Sequence, residues 1–197
     1  MTVAVVKYNA GNIRSVLFAL ERLGIKAIIT DDPDVIRKSD KVIFPGVGEA
    51  NSAMVYLKEK SLNEVITELT QPVLGICLGM QLMCSYSEEN NTDCLNIFSG
   101  VVVRRFSGPK TILKIPQVGW NTITSLKGPL FESIQEKSYC YYVHSYYAPP
   151  GSFTTATTDY IIPYAASMQK ENFFGTQFHP EKSAGTGEQI LKNFLKL

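Results

Sequence analysis

Short runs at residues 3–8, 41–44 and 73–76 are almost wholly apolar and rich in β-branched side chains, without a polar residue at every second place. A strand with one wet face alternates apolar and polar residues; a strand covered on both faces does not. Residues 25–30 add a further strand. Between the first two, Ile13, Val16, Leu17, Leu20 and Leu23 recur at helical spacing, and Gly24 ends that helix. Residues 50–60 suit another helix, and residues 77–83 another directly after the run at 73–76. Buried strands alternating with helices predict an α/β fold: a central, mostly parallel sheet with helices on both faces. With 197 residues there is room for one domain with a substantial core, spanning 1–197.

The second half reads differently. Residues 101–106, 111–115, 139–146, 153–158, 164–169 and 173–178 have strand character, separated by Gly108-Pro109, Gly128-Pro129 and Pro149-Pro150-Gly151. They are expected as antiparallel additions to the sheet. Residues 185–197 close the chain as an amphipathic helix, and residues 9–12 form a turn after the first strand.

Nineteen basic residues against eighteen acidic ones leave a net charge of +1, which argues against a broad electrostatic surface for nucleic acid or membrane. No apolar run approaches the ~20 residues of a membrane span. Met1-Thr2-Val3 puts no basic stretch ahead of the apolar one, so a cytoplasmic protein is expected. The four cysteines at 77, 84, 94 and 140 form no Cys-x-x-Cys pair and are accompanied by only two histidines, so no metal site is expected.

Gly75-Ile76-Cys77-Leu78-Gly79 sits between an apolar strand and a helix. Gly-x-nucleophile-x-Gly in that setting is the nucleophile elbow, a sharp turn that pushes its central side chain out at the carboxyl edge of the sheet. There the start of a helix favours a thiolate. A thiolate needs a base. His179 follows an apolar strand in Phe178-His179-Pro180-Glu181, and Glu181, two residues on, can orient its ring. Pro45-Gly46-Val47-Gly48 follows the third strand, where two glycines let backbone N–H groups point into a site, as an oxyanion hole requires.

Cys77 in Gly-x-Cys-x-Gly-x-Gln with His179-x-Glu181 resembles the triad of class I glutamine amidotransferases. More narrowly, the chain is similar to the glutaminase subunits of imidazole glycerol phosphate synthases. Gly11-Asn12-Ile13-Arg14-Ser15, Phe44-Pro45-Gly46-Val47-Gly48, Pro116-Gln117-Val118-Gly119-Trp120-Asn121, Tyr142-Val143-His144-Ser145-Tyr146 and His179-Pro180-Glu181-Lys182-Ser183 carry the likeness from one end to the other. Lys7 departs from it, standing where that family usually has aspartate.

The resemblance implies a flavodoxin-like fold and hydrolysis of L-glutamine to glutamate and ammonia, with no cofactor. The ammonia would pass to a (β/α)8-barrel cyclase in a heterodimer. The cyclase makes imidazole glycerol phosphate and aminoimidazole carboxamide ribotide in L-histidine biosynthesis. Cys77 would be the nucleophile, His179 its base and Glu181 the orienting carboxylate, with the amides of Val47 and Leu78 as oxyanion hole. Gly48, Gln81, Glu89 and the amides of Ser145 and Tyr146 would hold substrate; His144 would be structural. Asn12, Trp120, Asn121, Tyr141 and Lys182 would face the partner and the ammonia exit. Two alternatives stay open on the residues: an amidotransferase of another pathway, and a cysteine hydrolase on the same fold.

Overall fold

In a computed structural model, which describes residues 1–9, 12–107 and 113–197, the apolar runs pair into a seven-stranded sheet. In chain order the described elements are β1 (Val3–Val6), α1 (Ile13–Arg22), β2 (Ile28–Thr30), α2 (Pro33–Lys38), β3 (Lys41–Gly46), α3 (Ala50–Glu59), α4 (Leu62–Thr67), β4 (Val73–Cys77) and α5 (Leu78–Leu82). Then come β5 (Cys84–Ser87), β6 (Thr92–Asp93), β7 (Phe98–Arg105), β8 (Gln117–Thr122), β9 (Tyr139–His144), β10 (Tyr146–Tyr147), β11 (Thr154–Asp159), β12 (Pro163–Lys170), β13 (Phe173–Thr176) and α6 (Ala184–Lys196). The large sheet runs β11-β12-β13-β4-β3-β1-β2, parallel from β13 through β2.

Burial explains the unalternated runs. Val42 and Phe44 of β3 enter a core shared with α3 and α4, while Ile43 between them enters the core under α1 and α6. Both faces of the strand are covered, so these three successive positions are all apolar. No described helix is long and apolar enough to cross a membrane.

The second half departs from expectation. Only β11 and β12 extend the sheet antiparallel; β13 joins β4 in parallel. β7 and β10 form a separate four-stranded sheet with β5 and β6, and β8 and β9 form a hairpin of their own. Strand β3 runs past Phe44, with Pro45 beside Ile76 and Gly46 beside Cys77, since proline's fixed φ is compatible with extended backbone. The helix after Cys77 is shorter than its pattern. The N–H groups of Leu95, Phe98 and Asn96 take the carbonyls of Leu82, Met83 and Cys84, so these carbonyls need no further helical turn. The chain goes straight on into β5 (Cys84–Ser87), a strand that the sequence pattern does not announce. Residues 113–115 are not strand. The rest of the strand expected at 111–115, the Gly108-Pro109 turn and the middle of the 9–12 turn lie outside the described residues.

Candidate active site

Strands β1, β3, β4 and β13 are parallel neighbours, so their carboxyl ends share one edge of the sheet. The chain leaving that edge brings Tyr8 and Asn12 after β1, Val47 and Gly48 after β3, Cys77 at the end of β4, and His179 and Glu181 after β13. Parallel α/β sheets collect their sites at this edge for the same geometric reason.

Cys77 turns there with φ 53° and ψ −106°, a conformation foreign to ordinary L-residues. Such a residue costs on the order of 1–3 kcal/mol and persists only when its surroundings force it. Gly79 is part of that forcing: a Cβ on it would land on the carbonyl oxygen of Phe44, so only glycine lets α5 start this close to β3. The thiol is 5% exposed, with Sγ 3.8 Å from the Val143 carbonyl and 3.6 Å from Gln177 Nε2.

His179 is buried, and its Nδ1 is 2.8 Å from Glu181 Oε1. Its Nε2 has no hydrogen-bond partner in the protein. Burial works against a charged ring, but the neighbouring Cys77 and Glu181 outweigh it and hold the His179 pKa above the ordinary histidine range. The backbone fixes this turn from outside: His179 N–H donates to the Tyr141 carbonyl at 2.9 Å, and Ser183 Oγ donates to the His179 carbonyl at 2.6 Å. Among the described residues, the buried side-chain polar atoms without a partner are Tyr8 Oη, Thr176 Oγ1, His179 Nε2 and Glu181 Oε2. All belong to residues at or just beyond the carboxyl ends of β1 and β13. Buried polar groups are normally paired, so their clustering marks a site held ready for a ligand.

Cys77 opens onto a pocket of about 430 Å³. Val47, Gly48, Leu78, Gln81, Glu89, Ser145 and Tyr146 line it, together with Pro116, Val143 and His144. Every residue that the sequence assigned to the oxyanion hole or to substrate is therefore on one wall or another. Gly48 has φ 142°, a conformation that L side chains rarely adopt, so the turn after β3 calls for glycine there. Glu89 is not a solvated surface acid. It is half-buried, its Oε2 accepts from Ala50 N–H at 2.9 Å, and burial together with the nearby Glu49 charge raises its pKa. His144 donates from Nδ1 to the Tyr146 carbonyl at 2.8 Å, and its Nε2 is 3.3 Å from Tyr164 Oη.

The residues expected to face a partner divide. Trp120 is 52% exposed on β8, packed edge-on against Tyr141 across the hairpin with ring centroids 5.9 Å apart. Lys182 Nζ lies 6.0 Å from the centre of the Tyr141 ring. Asn12 and Asn121 instead have internal partners: Asn12 Nδ2 donates to Glu181 Oε1, and Asn121 Nδ2 to the Asp159 carbonyl at 2.8 Å. Sequence reasoning also passed over Gln177 and Tyr8. Gln177 is two residues before His179 on a strand end, a position that faces the same edge, and that spacing was the available signal.

The sequence profile of the class I glutamine amidotransferases matches residues 5–197. The imidazole glycerol phosphate synthase subunit HisH of Bacteroides fragilis is 58% identical over the full length of both chains. The HisH subunit of Haemophilus influenzae is 46% identical over all of this chain and 98% of its own. Among solved structures, a Thermoplasma acidophilum protein described as a putative GMP synthase subunit superposes with a TM-score of 0.75 at 20% identity. That match covers 100% of this chain and 93% of its own and speaks for the fold. By profile and by full-length identity, the chain belongs to the class I glutamine amidotransferase family, among the HisH subunits of imidazole glycerol phosphate synthase.

Proposed function

We propose that the protein hydrolyses L-glutamine to glutamate and ammonia on Cys77 and delivers the ammonia to a partner cyclase for L-histidine biosynthesis. The observation that carries this reading is the strained Cys77 elbow, which lines the pocket and has the buried His179–Glu181 pair beside it. Cys77 attacks the carboxamide carbon as a thiolate, with its proton held on His179 Nε2. The oxyanion that forms takes N–H donors from Leu78, at the start of α5, and from Val47. His179 returns the proton to the departing nitrogen, and ammonia leaves a thioester on Cys77. Water, deprotonated by His179, then releases glutamate. Glu181 holds the ring's orientation through Nδ1, and Asn12 holds Glu181. The Ser145 and Tyr146 amides receive the α-carboxylate, Glu89 the α-ammonium, and Gln81 the substrate's backbone end, with Gly48 leaving room above.

The relatives' names describe one subunit of a synthase, and a subunit that makes ammonia needs a consumer. The exposed Trp120 and Lys182, with the half-buried Tyr141 between them, offer a docking surface beside the triad turn for a (β/α)8-barrel cyclase, in a cytoplasmic heterodimer. The test is nucleotide synthesis by the two-subunit complex with glutamine or with ammonium salt as nitrogen source. Cys77→Ala should abolish the glutamine-dependent reaction and leave the ammonium-dependent one intact. Loss of both, or of neither, would refute the division of labour.

A further inference from the structure

We propose that Gln177 is a catalytic residue: its side-chain amide donates a hydrogen bond to Cys77 Sγ and stabilises the thiolate that attacks substrate. This rests on the reading of Cys77 as nucleophile. The orientation of the amide follows from a chain of contacts with one fixed end. The Tyr146 carbonyl can only accept. It takes His144 Nδ1 at 2.8 Å and Gln81 Nε2 at 2.9 Å, so the amino end of Gln81 must face it. The second N–H of that amino group lies 2.9 Å from Gln177 Oε1, which fixes the oxygen of Gln177 toward Gln81. The amino end of Gln177 is then turned to Cys77 Sγ, 3.6 Å away. Flipping either amide would set two acceptors or two donors against each other in a dry interior.

Gln177 is fully buried, and its backbone N–H donates to the Ala166 carbonyl at 2.8 Å, so neither end of the residue is free to swing. When Cys77 passes its proton to His179, the negative sulfur finds this donor already aimed and needs no water. A neutral thiol gains less from the same contact, because hydrogen bonds to a charged group are the stronger ones. The donor therefore favours the ionised nucleophile over the resting thiol.

The test is the pH dependence of Cys77 alkylation by iodoacetamide in the full-length chain, with the Cys77 peptide quantified by mass spectrometry. Two variants are compared with the wild type. Gln177→Met keeps the length and removes the donor. Gln177→Glu keeps an oxygen for Gln81 and replaces the donor with an acid. In both, the midpoint of the alkylation profile should rise by about one pH unit or more, the size expected for losing a hydrogen bond to a charged group, while the plateau rate at high pH should not fall. A purely structural role would change the plateau and leave the midpoint in place. A midpoint unmoved in either folded variant would overturn the proposal. The readout uses no glutamine. If the wild type with its partner released no ammonia, the glutaminase reading would fail separately, with the alkylation result still standing.

Discussion

His144 makes a stability prediction whose size follows from its surroundings. The ring is buried between Phe106, Tyr142 and Tyr164, and burial, with the nearby His179, pushes its pKa down to about 4 despite the bond to the Tyr146 carbonyl. In the unfolded chain it would titrate near the ordinary 6.5. A depressed folded pKa means that the native state refuses a proton that the unfolded state accepts. His144 therefore costs nothing above pH 6.5 and destabilises progressively as pH falls toward 4. Each pH unit of difference is worth about 1.4 kcal/mol, so linkage gives a loss of about 2 kcal/mol at pH 5 and about 3 kcal/mol at pH 4. His144→Gln keeps a donor for the Tyr146 carbonyl and cannot titrate. Urea unfolding of both proteins between pH 7 and pH 4 isolates the effect, because the other groups cancel in the difference. The gap between wild type and variant should widen in the variant's favour by those amounts. A gap constant to within about 0.5 kcal/mol across the range would show that the ring is not held neutral by burial.

Three further outcomes follow. Gly79→Ala drives a Cβ into the Phe44 carbonyl; overpacking of this kind costs about 1–3 kcal/mol, and thermal melting should show it together with a loss of glutaminase turnover, whereas a fully stable and active variant would contradict the elbow packing. Asn12→Ala removes a donor to the Glu181 carboxylate from a residue at φ 72°; kcat should fall by at least about 10-fold, as for a lost bond to a charged group, with KM little changed, and a KM effect alone would instead place Asn12 on the substrate. Trp120→Ala should weaken association with the cyclase by about 10-fold or more in calorimetric titration, the usual scale for a tryptophan anchor, while leaving the melting temperature of the isolated chain in place; unchanged affinity would move the interface elsewhere.

The candidate site is legible in the sequence where its chemistry is written locally. Gly75-x-Cys77-x-Gly79 and His179-x-Glu181 each carry their geometry within five residues, and the apolar runs announced the parallel sheet that sets them side by side. What stayed hidden is contact between residues far apart in the chain. Asn12 meets Glu181 across 169 positions and Gln177 meets Cys77 across 100, and no local pattern encodes either. Strand β5 has no local signal: the helical pattern runs up to it, while the carbonyls that would sustain the helix are taken by residues 95–98. Strand β8 escaped because Gly119 and Asn121 are poor strand formers, and its pairing with β9, Trp120 beside Tyr141, overrides that preference. Helix α2 had its signal in plain view: Asp32 Oδ1 accepts from Asp34 N–H at 2.8 Å, with Pro33 in the first turn.

Of the four cysteines, Cys77 is the one that stands in the strand-to-helix elbow and lines the pocket. Cys84 and Cys140 are buried. Burial also pushes the Cys94 and Cys140 thiols up to about 12, so they stay protonated at neutral pH. The most direct measurement is reaction of the complex with a diazo-ketone analogue of glutamine, followed by peptide mapping. A single adduct on Cys77, protected by glutamine and lost in His179→Ala, is the expected result. An adduct on Cys84, Cys94 or Cys140, or labelling that persists undiminished in Cys77→Ser, would contradict the account.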